Sequence, residues 1–191
     1  MRFPVSVLVC ATLSALPLLT WAAFKPIRVL APELAGVQCT AANICIDDLT
    51  KLENALSLRN ESVSFVESRF GKVKRVPRFI FCSSTECANG FGFTSNAAYH
   101  VGTFGIVIGP RGWHSHFARH ELIHHLQMEK IGSVHAFLLT PTWFLEGMAY
   151  SLSEDPRRPL PQPLEGWRSE FEKWYPSVSG SDLWATARAL R

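Results

Sequence analysis

The sequence predicts an α+β domain, and three observations carry that prediction. An apolar residue recurs every three or four positions across residues 47–70, two short β-rich runs follow at 76–82 and 103–109, and helical periodicity returns from residue 115 onward. A helix, a small sheet and then further helices is the layout of an α+β domain. With 191 residues, of which 47% are hydrophobic and 18% charged, the chain can bury a full core and lacks the composition of a disordered one. Its net charge of +3 is scattered along the chain and forms no stripe suited to nucleic acid.

Residues 1–22 read as a secretory signal peptide. Arg2 stands near the start, residues 5–19 are apolar, and small residues mark cleavage after Ala22 or Ala23. The alternative is an uncleaved membrane anchor, because about 20 apolar residues span a bilayer; Pro17 and the small residues favour cleavage. Residues 23–191 then form a single exported domain, periplasmic or secreted, with membrane contact only if the segment stays in place. Cys10 leaves with the segment, and the even set Cys39, Cys45, Cys82 and Cys87 implies two disulfides. Three connectivities are open, of which the short loops favour Cys39–Cys45 and Cys82–Cys87. The spacings lack the paired C-x-x-C of a cysteine-rich zinc site.

Along the remaining chain, residues 26–42 show no period and read as an extended lead-in with a turn at Ala35-Gly36. Leu49, Leu52, Leu56, Val63, Val66 and Phe70 mark one long helix, or two divided at Arg59-Asn60, ended by Gly71. Residues 76–82 predict a strand, 87–94 a return strand, and 103–109 the clearest strand, closed by Pro110. A helix is expected over 115–130, before Gly132. Another is expected over 143–153, with Thr140 as N-cap and Pro141 at its first position. Three prolines make 157–163 a loop, and short helices follow at 166–175 and from 182 onward. Asn60-Glu61-Ser62 is a glycosylation sequon if the source glycosylates secreted proteins.

The chemistry concentrates at residues 114–127. His120-Glu121-Leu122-Ile123-His124 matches H-E-x-x-H, a spacing of about one helical turn that turns both imidazoles the same way. Two such rings can share a zinc ion, while Glu121 beside them can accept a proton from the attacking water. A catalytic zinc needs a third protein ligand. Glu146, a lone carboxylate among Trp143, Phe144, Leu145 and Met148, is the best candidate, since burying it unpaired is costly. His135 is available but sits in a turn. Small Gly147 and Ala149 would let the Glu146 helix pack on the motif helix. Tyr150, four residues beyond Glu146 on the same face, could steady a developing oxyanion, or be an ordinary tyrosine at the core edge. His135, His100 and Tyr99 are weaker candidates for that task. His125 and Arg119 point elsewhere and read as structural, while His114 and His116 precede the helix.

His120-Glu121-x-x-His124 followed by a helix with Trp143-Phe144-x-Glu146-Gly147-x-Ala149 resembles the gluzincin branch of zinc metallopeptidases. The second helix is similar to aminopeptidase-type and peptidase MA-like members more than to thermolysin. The resemblance covers residues 103–153. It implies a zincin-like core: a small mixed sheet whose edge strand lies over the H-E-x-x-H helix and pairs with an extended peptide. Thr103, Phe104, Gly105 and Ile106 would then be that substrate-binding strand. It also implies one Zn²⁺ per chain on His120, His124 and Glu146, with Glu121 as general base and then acid. No exopeptidase motif precedes the zinc helix, and Tyr150 stands where thermolysin-type enzymes place an Asp, so subfamily specificity is not carried over. The expectation is an exported peptidase acting on peptides or proteins. The alternative is a zincin-fold protein that binds zinc or a partner without hydrolysis, for which Glu121 would have no use.

Overall fold

In the computed structural model, which describes residues 20–21, 23–93, 95–178 and 182–190, a five-stranded mixed sheet is covered on both faces. The signal-peptide reading falls, apart from Thr20 and Trp21, outside the described residues, as does Cys10. No helix among the described residues is long and apolar enough to cross a membrane.

The sheet order is β1 (Gln38–Cys39), β2 (Ile44–Ile46), β3 (Arg78–Phe81), β5 (Gly105–Ile108), β4 (Ala98–Val101). The two outer pairs are antiparallel and the inner pairs, β2 with β3 and β3 with β5, are parallel. Alternation along these strands divides the core in two. Ile44, Ile46, Phe79, Phe81, Ile106 and Ile108 face one way, onto the long helices. Cys45, Ile80, Cys82 and Val107 face the other, beneath Val29, Val37, Ala88 and Phe91. Burying Phe79 and Phe81 completely contributes about 2–3 kcal/mol each.

Both disulfides join the cysteines that the short loops favour, Cys39–Cys45 and Cys82–Cys87, and their presence fits an oxidising environment. The first closes the β1–β2 hairpin at directly opposed residues. The second ties the end of β3 to α2 (Thr85–Gly90), a helix where residues 87–94 were expected to form a strand. Ser84 is the reason: its hydroxyl accepts from the Cys87 N–H at 3.1 Å and caps a new helix immediately after the strand. The lead-in is also not extended, being folded into two 3₁₀ turns, Lys25–Leu30 and Pro32–Ala35; Gly36, with φ of +87°, ends the second.

The helix over 47–70 is a 3₁₀ turn, Leu49–Lys51, followed by α1 (Leu52–Phe70), with no break at Arg59-Asn60. Those two residues bond to each other on the outside while Ala55, Phe65 and Val66 bury the inner face. α3 (Ser115–Ile131) lies against α1 and the sheet, and α4 (Ser133–Leu138) follows directly. α5 (Thr142–Leu152) has Pro141 rather than Thr140 at its N-cap, because the Thr140 hydroxyl turns back to donate to the His135 carbonyl at 3.3 Å. α6 (Leu164–Trp174) and α7 (Leu183–Ala189) complete the described chain. Gly147 serves a different contact from the one expected: a Cβ there would strike the Trp167 carbonyl, so this glycine lets α5 approach α6 rather than α3.

The strand expected to form the exposed edge proves to be interior. Gly105 and Ile106 belong to β5, flanked by β3 and β4, while Thr103 and Phe104 form the turn before it. The edge belongs to β4. Gly109 N–H bonds the Ala97 carbonyl at 2.8 Å, and the antiparallel alternation from that bond turns the backbone groups of Ala98 and His100 outward.

Candidate functional site

α3 carries the site because one of its faces is apolar and deeply buried. Ala118, Leu122, Ile123 and Leu126 fix the helix in the core, which turns His120, Glu121 and His124 toward β4 and α5. All three are buried, at 8%, 7% and 5% exposure. The imidazoles, one turn apart, bring their Nε2 atoms within 3.1 Å. From α5, Glu146 places one carboxylate oxygen 3.7 Å from His120 Nε2 and the other 3.5 Å from His124 Nε2.

The two Nε2 atoms and the carboxylate thus form a triangle of donor groups with separations of 3.1, 3.5 and 3.7 Å, the last two made by different oxygens of Glu146. Ligand atoms about 2.0–2.1 Å from a tetrahedral zinc stand about 3.3 Å apart. The separations are close to that spacing, so the group could hold a metal ion, and a donor set of two imidazoles and one carboxylate is chemically suited to zinc. Burial holds His120 well below the ordinary histidine range, with His124 and His100 adding to the effect. His124 is also buried, but its hydrogen bond to Glu146 and that carboxylate's charge outweigh burial and raise it. Glu146 is lowered in turn: burial pushes it up, and the contacts with His124 more than offset this. A second group that could hold an ion, His100, Glu121 and His124, shares His124 with the first. In that second group the His100 Nδ1–H donates to Glu121 Oε2 at 3.1 Å.

The sequence reasoning missed the supporting role of Gln127. Its side-chain oxygen accepts from His124 Nδ1–H at 2.8 Å, so that in the neutral ring Nε2 carries the lone pair a metal would take. Its amide then donates to the Leu145 carbonyl at 3.0 Å, tying α3 to the residue before Glu146. The signal was present, since Gln127 lies three residues past His124 on the same helical face. Gln127→Leu keeps the volume and removes the acceptor. It is expected to weaken zinc binding by about 10–100-fold in a chelator competition, with the helical circular dichroism unchanged.

Tyr150 sits beside the centre, its ring edge-on to His120 with centroids 4.3 Å apart. Burial, helped by the Glu146 carboxylate, pushes its hydroxyl up to about 12, so it remains a neutral donor across the working pH range. His100 approaches from β4 and contacts Glu121, a role its sequence position did not disclose. The other candidates lie apart from the triangle. His125 donates to the Arg75 carbonyl at 2.8 Å, and Arg119 bridges Glu61 and Glu154. His114 and His116 stack on each other, while His135 lies on α4.

Two clefts flank the centre. One, of about 430 Å³, is bordered by His120, Glu121, Tyr150, Arg111 and Arg157. The other, of about 440 Å³, is bordered by His124 and Glu146 together with Tyr99, Met128, Phe137 and Leu145. Comparison of the chain with family models, curated proteins and solved structures finds no match to any of them.

Proposed function

We propose that this protein is an exported zinc metallopeptidase of gluzincin type, built on a zincin-like core. The observation that carries the reading is the donor triangle of His120, His124 and Glu146 with a buried carboxylate, Glu121, beside it but outside it. When bound, zinc supplies Lewis acidity, lowering the pKa of a water toward ~7 and polarising the scissile carbonyl. The chain's own residues do the rest. Glu121 takes the proton of the attacking water and returns it to the leaving amine. His100 holds that carboxylate in place through its Nδ1–H. The neutral Tyr150 hydroxyl is a donor for the oxygen that gains charge as water adds to the carbonyl. The outward backbone groups of Ala98 and His100 on β4 pair with an extended peptide as an added strand.

The test is a metal titration against a mixed peptide library. The purified protein is expected to hold about one zinc per chain and to cleave peptides. Chelation should abolish cleavage and zinc should restore it. Cleavage that survives complete metal removal overturns the reading. Zinc without cleavage of any peptide leaves a metal-binding protein with no peptidase activity.

A further inference from the structure

The two clefts beside the metal centre differ in charge. Among the described residues the apolar cleft has no lysine or arginine on its walls, whereas the other has two arginines. Arg157 is held in a built setting. Asp155, only 7% exposed, accepts from its backbone N–H and its Nε at 2.9 Å, and from Nη2. The Phe117 ring lies under the guanidinium at 4.7 Å. Nη1 takes no part in the Asp155 pair and has no hydrogen-bond partner among the described residues, which leaves a donor for a ligand. Arg111 donates to the Ser95 carbonyl and has no acidic partner among the described residues. It stands on a wall it shares with Tyr150 and Glu121.

β4 relates these clefts to the direction of a substrate. Its first residue, Ala98, borders the arginine cleft, while Val101 and Gly102 border the apolar one. Antiparallel pairing, the more stable arrangement, places the residues after the scissile bond beside Ala98 and those before it beside Val101. We infer that Arg111 and Arg157 form a carboxylate-binding subsite for the C-terminal side of the scissile bond, and that an apolar residue precedes the bond. This rests on the peptidase reading above. The carboxylate is either an Asp or Glu side chain or the free end of a short peptide; both present the same planar anion to a guanidinium.

Four fluorogenic peptides test it, sharing one apolar N-terminal half. The C-terminal half carries Asp or Asn, each ending in a free carboxylate or an amide. Anionic peptides are expected to exceed neutral ones by about 10–100-fold in kcat/KM, mostly through KM. A preference that follows Asp identifies a side chain; one that follows the free end identifies the terminus. Arg111→Gln should collapse the ratio, and Arg157→Lys, which keeps a partner for buried Asp155, should reduce it. Equal cleavage of all four peptides overturns the subsite and leaves the peptidase reading standing. A preference undiminished in both variants, or one displayed only on the N-terminal side, overturns it too. If no peptide is cleaved, the peptidase reading falls. The same labelled peptides titrated into Glu121→Gln protein by anisotropy then decide the subsite, which equal affinities overturn.

Discussion

Replacing Glu121 by Gln is expected to leave zinc content at the wild-type level and to lower kcat/KM for peptide cleavage by on the order of 10³. The carboxylate is not a corner of the donor triangle, so its loss removes no metal donor. Gln is nearly isosteric, and its side-chain oxygen can still accept from His100 Nδ1–H, so the buried position stays satisfied. What the amide lacks is the ability to take a proton from water. The variant therefore separates metal binding from proton transfer, which histidine substitutions in the triangle cannot do. Elemental analysis and thermal unfolding would confirm an intact, loaded protein, and kcat/KM would carry the result. Cleavage within tenfold of wild type would exclude Glu121 as the base.

The parts of this site legible in the sequence are those set by local geometry. H-E-x-x-H places His120 and His124 one turn apart in any helix, and an apolar stretch around a single Glu marks position 146. The short loops favoured the disulfide pairing for the same local reason. What misled the reading was the sheet. The resemblance to gluzincins implies the edge strand at Thr103–Ile106, yet the continuous apolar run of β5 is the pattern of a strand covered on both faces. The true edge, β4, has only four residues, with Tyr99 exposed and His100 polar, and it announces itself weakly because one side of it is open. Arg157 was hidden for a different reason. Its proline-rich surroundings resemble an ordinary loop, and only the fold shows that Asp155 is buried and directs the guanidinium to the cleft.

Truncation of Glu146 to Ala is expected to reduce zinc affinity by at least ~100-fold, more than loss of a supporting hydrogen bond would. In the proposed site the carboxylate would supply one of three protein ligands and the only negative charge in the triangle. Its side chain is 30% exposed, so truncation opens little internal space and the apo-protein should unfold at nearly the wild-type temperature. That separates loss of metal from loss of fold. Binding to the native state alone stabilises it by RT ln(1 + [zinc]/Kd), about 2.7 kcal/mol at a hundredfold excess over Kd. Saturating zinc should therefore raise the wild-type unfolding temperature by several degrees and leave Glu146→Ala almost unmoved at the same free zinc. Equal zinc-induced shifts in both proteins would remove Glu146 from the ligand set. The second group of His100, Glu121 and His124 would then become the metal centre, and Glu121 would lose its assignment as the base.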